Sequence, residues 1–188
     1  MHLNQLAGVV RRLAWPAIRL PRPIPDPSAA PEEPPLNTIA ALLQPRDILP
    51  DLAVSDKDHL LLDIGRHMER EHGLPAAWVS NSLARREQAG STGLGQGFAI
   101  PHARVKELER IQVAYLRLES PIAFDAPDSL PVSDVLVLLV PKQATEVHLK
   151  ILSEATQMFS DPAFRQRLQQ CQGSGEIKRA FDTWSIPS

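Results

Sequence analysis

One stretch of the chain combines a dense glycine-rich loop with a histidine. Four of the nine glycines lie between Gly90 and Gly97, and such density marks backbone that turns sharply or lies close to a ligand. The loop precedes a short apolar run, Phe98–Ile100, which leads into Pro101 and His102. An imidazole at the end of a strand can act as a nucleophile, an acid–base catalyst or a metal ligand.

The glycine loop does not match either of the common nucleotide-binding loops. Gln96 stands where a Walker A loop requires its lysine, and Phe98 stands where the dinucleotide fingerprint requires its last glycine. Both motifs also follow a strand and open a helix, whereas this loop precedes a strand. The sequence therefore indicates no nucleotide site, and we expect no cofactor.

A second histidine, His148, is predicted at the first turn of a helix over about Thr145–Ser160, with Thr145 as its candidate cap. The free N–H groups and positive dipole end of a first turn favour an anion, and an imidazole there can hydrogen-bond a phosphoryl oxygen. The alternative is a core histidine bonded to a backbone carbonyl. Helical spacing places His148 on one face with Ile151, Leu152, Ala155 and Phe159.

Two adjacent arginines precede the glycine loop, late in a predicted helix. Arginine binds phosphate through paired hydrogen bonds and does not lose its charge. Spacing alone does not separate Arg85 from Arg86, and a solvated basic face is the alternative for both.

No metal site is expected. His59, His67 and His72 are predicted at the surface of a helix rich in charged residues, and the last two are five residues apart, so they should not share a face. His102 and His148 have no evident third ligand. The single cysteine, Cys171, excludes an internal disulfide and a multi-cysteine metal centre.

Helices and strands alternate along the rest of the chain, which predicts an α/β fold with helices on both sides of a sheet. The unbroken run Val135–Val140 is typical of a central strand covered on both faces. The predicted strands are Gln112–Leu118 and Asp134–Val140. The predicted helices are Asp56–His72 (capped by Ser55 and ended by Gly73), one from Pro75 to Gly90, Thr145–Ser160, Pro162–Gln170 and Glu176–Thr183.

The first 36 residues differ in composition from the remainder. Eight of the eighteen prolines lie between Pro16 and Pro35, which predicts an extended linker over 16–36. Met1–Trp15 is interpreted as part of a disordered extension, with a short amphipathic helix for a membrane surface or a partner as the alternative. We therefore divide the chain into a disordered proline-rich extension, residues 1–36, and one folded domain, residues 37–188.

Composition limits the possible functions. A length of 188 residues suits one ordinary domain, and 43% hydrophobic residues exclude a wholly disordered chain. A net charge of −2 gives no support for nucleic-acid binding. No run of about 18 apolar residues occurs, so we expect no membrane span.

Several segments together resemble one protein family. The segment REQAGSTGLGQGFAIPH, residues 86–102, resembles the active-site segment of the fructose/mannitol-type enzyme IIA domains of the bacterial phosphotransferase system. Leu118–Asp125 and Val137–Pro141 are similar to stretches typical of the nitrogen-regulatory branch, and His148–Leu152 matches the second histidine segment of the family. The resemblance covers about residues 38–185, so residues 37–188 are identified as an enzyme IIA type-2 domain.

The resemblance implies a mixed β-sheet flanked by helices on both faces and a phosphohistidine mechanism. His102 is then the nucleophile that accepts the phosphoryl group, and His148 orients that group. Arg86, rather than Arg85, stabilises the phosphate. The donor is a histidine-phosphocarrier protein, and no cofactor or metal takes part.

The implied function is that of a cytoplasmic phosphocarrier, mainly regulatory, whose phosphorylation state is read by nitrogen- or potassium-linked targets such as potassium transporters or sensor kinases. The alternatives are a sugar-transport enzyme IIA that passes phosphate to a IIB component, and a binding module that works without phosphorylation. Ala103-Arg104 departs from the Gly-Lys or Gly-Arg of many relatives. We expect no loss of chemistry, and Arg104 would add positive charge at a docking face.

Overall fold

The computed structural model describes residues 37–143 and 146–185. The predicted extension, residues 1–36, lies outside the described residues, and so does Thr145, the predicted cap of the His148 helix. None of the helices in the described part has the length and apolar character needed to cross a membrane.

Within those ranges the chain alternates between helices and the strands of one sheet. The helices are α1 (Thr38–Leu42), α2 (Lys57–His72), α3 (Ala76–Gln88), α4 (Glu146–Ser160), α5 (Pro162–Gln170) and α6 (Gly173–Asp182), with a short 3₁₀ turn over Pro45–Asp47. The strands are β1 (Ile48–Leu52), β2 (Gly93–Gly95), β3 (Phe98–Ala99), β4 (His102–Val105), β5 (Gln112–Ile122) and β6 (Val132–Pro141).

The sheet is mixed, with the order β1-β5-β6-β3-β2 and β4 also paired to β6. The β1–β5 pair is parallel and the β5–β6 pair is antiparallel. Phe98 pairs with Asp134 and His102 pairs with Leu138, in parallel and with the same offset. The strands β3 and β4 are therefore two parts of one line beside β6, interrupted at Ile100-Pro101, because proline has no N–H to donate to the ladder.

Two apolar cores lie on opposite faces of this sheet. Along β6, Leu136, Leu138 and Val140 belong to the core shared with α1, α4, α5 and α6. The alternate residues Val135, Val137 and Leu139 belong to the core shared with α2 and α3. A period of two on a central strand produces this division. The predicted fold class, a mixed sheet with helices on both faces, is confirmed.

The helices α2 and α3 follow the predicted pattern with small shifts at their starts. The Asp56 carboxylate, not Ser55, caps α2 by accepting the His59 N–H, and Ser55 donates its hydroxyl to that carboxylate. Pro75 precedes α3 instead of opening it. The predicted end of α2 at Gly73 is confirmed, since this residue has the left-handed φ of 68°. A Cβ at Gly65 would lie 2.6 Å from the Ala76 carbonyl oxygen, so the close contact of α2 with α3 requires glycine there.

The surface position predicted for two histidines of α2 is wrong. His67 is only 3% exposed, and the His72 side chain only 7%. Both donate hydrogen bonds to Asp47, which ends the 3₁₀ turn and is fully buried. Their charged neighbours suggested a solvated face, but the turn packs against that side of α2. His59 is exposed, as predicted.

Candidate functional site

His102 is the first residue of β4, and one backbone contact fixes which of its ring nitrogens carries the proton. The Nδ1 atom lies 2.9 Å from the carbonyl oxygen of Ile100. Because a carbonyl only accepts hydrogen bonds, Nδ1 must be the protonated nitrogen. In the neutral ring, Nε2 then holds the free lone pair, so Nε2 is the atom that can act as a nucleophile.

Arg86 lies in the last turn of α3 and faces that lone pair. Its Nε donates to His102 Nε2 at 3.0 Å, and its Nη1 donates to the Gly90 carbonyl at 2.8 Å. A guanidinium can only donate, so this contact independently requires an unprotonated Nε2. The loop carbonyl holds the guanidinium in place, where its N–H groups can bond the oxygens of a group attached to Nε2.

The surroundings of His102 favour the neutral ring. Burial lowers the pKa of His102 below its usual value, the Ile100 carbonyl opposes this, and the charges of Arg86 and His148 lower it further. A histidine with a lowered pKa is neutral at pH 7 and keeps its lone pair available. The site therefore supplies a nucleophilic nitrogen and a fixed cation side by side.

His148 lines the same cavity from α4, which packs on the opposite face of the sheet from α3. Its Nδ1 is buried and has no hydrogen-bond partner among the described residues. A buried polar atom without a partner is costly, and an anion in the cavity would satisfy it. The cavity measures about 280 Å³ and is lined by Ser82, Arg86, His102, Ala103, Arg104, Leu138, Val140, His148 and Leu152.

The helical face predicted for His148 is confirmed. The side chain is half-buried at the first turn of α4, and the stripe below it is buried through Ile151, Ala155 and Phe159. The structure therefore brings together all three residues singled out in the sequence, Arg86, His102 and His148. They come from α3, β4 and α4, so strands and helices from both layers build one cavity.

Glu87 supports this arrangement and was missed by the sequence analysis. Its buried carboxylate accepts the Thr92 N–H at 3.0 Å and the Thr92 hydroxyl at 2.6 Å, and it also binds Lys57 Nζ at 3.2 Å. These bonds tie the end of α3 to the loop that follows it. One signal was available, because an acidic residue in the last turn opposes the helix dipole and needs another reason to be there.

The glycines of the loop allow its tight turns, and none of them lines the cavity around His102. Gly95 and Gly97 have φ values of 91° and 85°, which favour glycine. A Cβ at Gly93 would lie 2.9 Å from Ala126. The loop is largely a β2–β3 hairpin that delivers β3, and then His102, to the edge of β6.

Arg85 points to a different place from Arg86. It lines a neighbouring cleft of about 550 Å³ together with Arg104, Lys106 and Lys142. The exposed ring of Trp78 lies in the same cleft, with Lys106 Nζ 5.9 Å from its centroid. Arg104 and Ser82 line both spaces. The cleft therefore extends the positive charge of the site outward along the surface.

Comparison with known proteins assigns most of the chain to one protein family. Residues 41–183 match the family described as phosphoenolpyruvate-dependent sugar phosphotransferase system, EIIA 2. The chain is 34% identical over 149 residues to a nitrogen regulatory protein from Bradyrhizobium diazoefficiens, covering 79% of this chain and 95% of that protein. It is 32% identical over 147 residues to the PTS system fructose-specific EIIA component of Haloferax volcanii, covering 78% and 84%.

A solved structure has the same architecture. The crystal structure of nitrogen regulatory protein IIA-Ntr from Neisseria meningitidis superposes with a TM-score of 0.72 at 39% sequence identity. The match covers 76% of this chain and 98% of that one.

Proposed function

The chain belongs to the EIIA 2 family of the phosphoenolpyruvate-dependent sugar phosphotransferase system, and we propose that it is a phosphocarrier that accepts a phosphoryl group on His102 from a histidine-phosphocarrier protein. The observation that carries this proposal is the unprotonated Nε2 of His102, 3.0 Å from the Arg86 guanidinium. The domain that does this is residues 37–188, with residues 1–36 as an extension. We expect the protein to act in the cytoplasm.

The transfer step needs no cofactor and no proton movement at the acceptor. The lone pair of His102 Nε2 forms a bond to phosphorus while the bond between phosphorus and the donor histidine breaks. The electron pair of the broken bond returns to the donor ring. The proton on His102 Nδ1 stays in place and continues to donate to the Ile100 carbonyl. Catalysis then consists of positioning and charge stabilisation, as phosphoryl transfer generally requires.

Arg86 and His148 stabilise the phosphoryl group in this scheme. Arg86 gives up its bond to Nε2 and donates to the phosphoryl oxygens, with its charge compensating theirs. His148 Nδ1, which lacks a partner among the described residues, donates to another oxygen. The two groups approach from α3 and α4, so the phosphoryl group is held from both sides.

The donor docks across the positive cleft beside the site. Arg104 lines both the cleft and the His102 cavity, so it lies where an incoming phosphoryl group passes. The donor's phosphohistidine is anionic, and a positive surface raises the rate of such encounters. This is the docking role expected for Arg104 from the sequence.

The output we propose is regulation. The names of the Bradyrhizobium and Neisseria relatives, both nitrogen regulatory proteins, favour it. Nitrogen- or potassium-linked targets, such as potassium transporters or sensor kinases, would distinguish the phosphorylated from the free protein. A sugar-transport role is the second candidate, because the Haloferax relative is a fructose-specific EIIA component.

The experiment is reconstitution with phosphoenolpyruvate, the first enzyme of the system and the histidine phosphocarrier, followed by intact-mass measurement. The protein should gain one phosphoryl group that acid removes. The variant His102→Ala should gain none. His59→Ala, which removes an exposed histidine of α2, is the matched control and should be phosphorylated normally.

Two results would overturn parts of the proposal. Phosphorylation retained in His102→Ala would refute the acceptor assignment. An unphosphorylated wild-type chain, with donors shown active on another acceptor, would leave a binding module that works without phosphorylation. Adding IIB components afterwards separates the outputs: discharge to a IIB component would support sugar transport, whereas a stable phosphoprotein would support regulation.

A further inference from the structure

A second cluster of titratable side chains lies away from His102. Asp47 ends the 3₁₀ turn before β1, His67 lies in α2, and His72 is the last residue of α2. The Nε2 atoms of both histidines contact the same oxygen, Asp47 Oδ1, at 2.9 Å and 2.7 Å. One ligand atom from each residue lies within 4.8 Å of the other two. None of the three lines the His102 cavity.

The cluster is buried and carries an unsatisfied atom. The Asp47 and His67 side chains are 1% and 3% exposed, and that of His72 is 7% exposed. Asp47 Oδ2 is buried and has no hydrogen-bond partner among the described residues. The Arg46 Nε is 4.0 Å from it, too far for a hydrogen bond. Buried carboxylates are costly unless they are paired or coordinate a metal ion.

We propose that Asp47, His67 and His72 form a binding site for a divalent transition metal ion of the Zn²⁺ class. Two imidazoles and one carboxylate suit Zn²⁺, whereas Mg²⁺ and Ca²⁺ prefer oxygen ligands only. Three protein ligands leave a fourth position for water or for Asp47 Oδ2. The slightly exposed edge of His72 gives an ion access from solvent.

Binding requires a small and balanced rearrangement. Each neutral histidine gives up the proton on Nε2, which is taken up at Nδ1, so the rings remain neutral while the ion takes the Nε2 lone pairs. Ligand atoms at about 2.0–2.1 Å from a tetrahedral ion lie roughly 3.3 Å apart, so the carboxylate and the rings must separate by about half an ångström. Arg70, whose Nη2 lies 3.0 Å from His67 Nδ1, must turn away because that nitrogen becomes a donor. Its side chain is 63% exposed, so it can turn.

A bound ion would join two parts of the chain that are distant in sequence. Asp47 and His67 are 20 residues apart, and the ion would fix the turn before β1 to the end of α2. A spacing of five positions from His67 to His72 places their rings on different sides of an ideal helix, which is why a metal site was not predicted from the sequence. The third ligand from the 3₁₀ turn, and the position of His72 at the helix end, bring them together.

The test is titration of the full chain, first stripped with a chelator, with Zn²⁺ alone. Calorimetry should find one tight site per chain, and saturating Zn²⁺ should raise the unfolding temperature by about 5 °C or more, as expected for an ion that binds only the folded state. His72→Gln should weaken binding at least 10-fold. His59→Gln is the matched control, since His59 contacts the exposed carboxylate of Asp56, and it should leave binding unchanged.

Several outcomes contradict the proposal. Equal Zn²⁺ affinity in the wild type and His72→Gln would refute the ligand set, and so would loss of the site in His102→Ala, which would place the ion in the other cavity. No binding by the wild type would show that the three side chains form a hydrogen-bonded cluster only. If His72→Gln does not fold, Co²⁺ added to the wild type gives the answer: intense visible absorption of a tetrahedral site is expected, and its absence refutes the site.

Discussion

The molecule holds two histidine clusters that present their ring nitrogens to opposite charges. In the His102 cavity, the free lone pair of Nε2 faces the guanidinium of Arg86. In the second cluster, the Nε2 atoms of His67 and His72 face the carboxylate of Asp47. The side chain is the same, but the first cluster is arranged for an anion and the second for protons or a cation.

The difference follows from the neighbour that contacts Nδ1 of His102 and of His67. The backbone carbonyl of Ile100 takes the Nδ1 proton of His102 and leaves Nε2 unprotonated. In the second cluster, Arg70 donates to Nδ1 of His67, so the proton of that ring is on Nε2 and points to Asp47. In both His102 and His67, one neighbour therefore selects the tautomer, and the tautomer determines which partner the opposite nitrogen contacts in the structure.

The largest expected effects come from removing one histidine from each cluster. His102→Ala should abolish phosphoryl acceptance while leaving the free energy of unfolding nearly unchanged, since this ring is only half-buried. His67→Ala should leave acceptance intact but cost about 1–3 kcal/mol of stability, because it leaves the buried Asp47 short of a partner. Mass spectrometry and urea unfolding measure the two quantities. A variant that loses both would show that the clusters are not independent.

Removal of the cation should give the next largest effect. Arg86→Ala should lower the rate of phosphoryl acceptance about 10²–10³-fold, the usual cost of losing one donor to a developing charge. It should also raise the pKa of His102, since the Arg86 charge contributes to lowering it. Quenched-flow phosphorylation and NMR titration measure these effects. Arg85→Ala is the matched control, and an equal loss there would assign the effect to general positive charge.

The sequence anticipated the elements whose pattern is long and regular. The helix α2, the two-sided strand β6 and the inward face of α4 follow from periodicity, because burial on one face repeats over several turns or residues. The strand β1 and the helix α1 have five residues each, too few for a period to be visible. The capping of α2 by Asp56 instead of Ser55 depends on which of two adjacent polar side chains turns back to the His59 N–H.

The candidate site was predicted at the level of residues but not of atoms. Arg86, His102 and His148 could be named because their types and motifs are visible in the sequence. The tautomer of His102 depends on the Ile100 carbonyl. That carbonyl is available to the ring because Ile100 lies at the break between β3 and β4. The surface position predicted for His67 and His72 was wrong because Asp47, their partner, lies in another element, and helical spacing carries no information about it.

Removal of the carboxylate should have a smaller effect, on stability only. In the presence of a chelator, Asp47→Ala should lower the free energy of unfolding by about 1–3 kcal/mol, because two buried N–H groups lose their acceptor. Asp63→Ala, which breaks a surface ion pair with Arg66 on the same helix, should cost less than about 1 kcal/mol. Urea unfolding of both variants measures the difference. Equal losses would mean that the buried cluster contributes no more than a surface pair.

The effect of acid on the same cluster has a definite sign. Burial alone would raise the pKa of Asp47, but hydrogen bonds from His67 and His72 lower it overall, below its usual 3.8. The carboxylate therefore contributes stability above the unfolded pKa, and that contribution is lost as the pH falls through the lower folded value. Wild type and Asp47→Ala should thus converge in stability in strong acid. A constant difference down to that pH would contradict the shift.

The smallest expected effect is in the pH dependence of phosphoryl acceptance. The pKa of His102 lies below the usual 6.5, so the ring stays neutral and reactive to lower pH than an ordinary histidine would. The rate should be constant from neutral pH down past 6.5 and fall only below it. Rates measured across this range, with the donor kept in excess, provide the check. A fall centred above 6.5 would contradict the lowered pKa.

The most direct test of the central claim is long-range ¹H–¹⁵N NMR of the histidine rings before and after phosphorylation. The account predicts that free His102 carries its proton on Nδ1, bonded to Ile100, and that the phosphorylated ring shows phosphorus coupling at Nε2 with the Nδ1 proton retained. Phosphorus on Nδ1 of His102, or on His148, would contradict it.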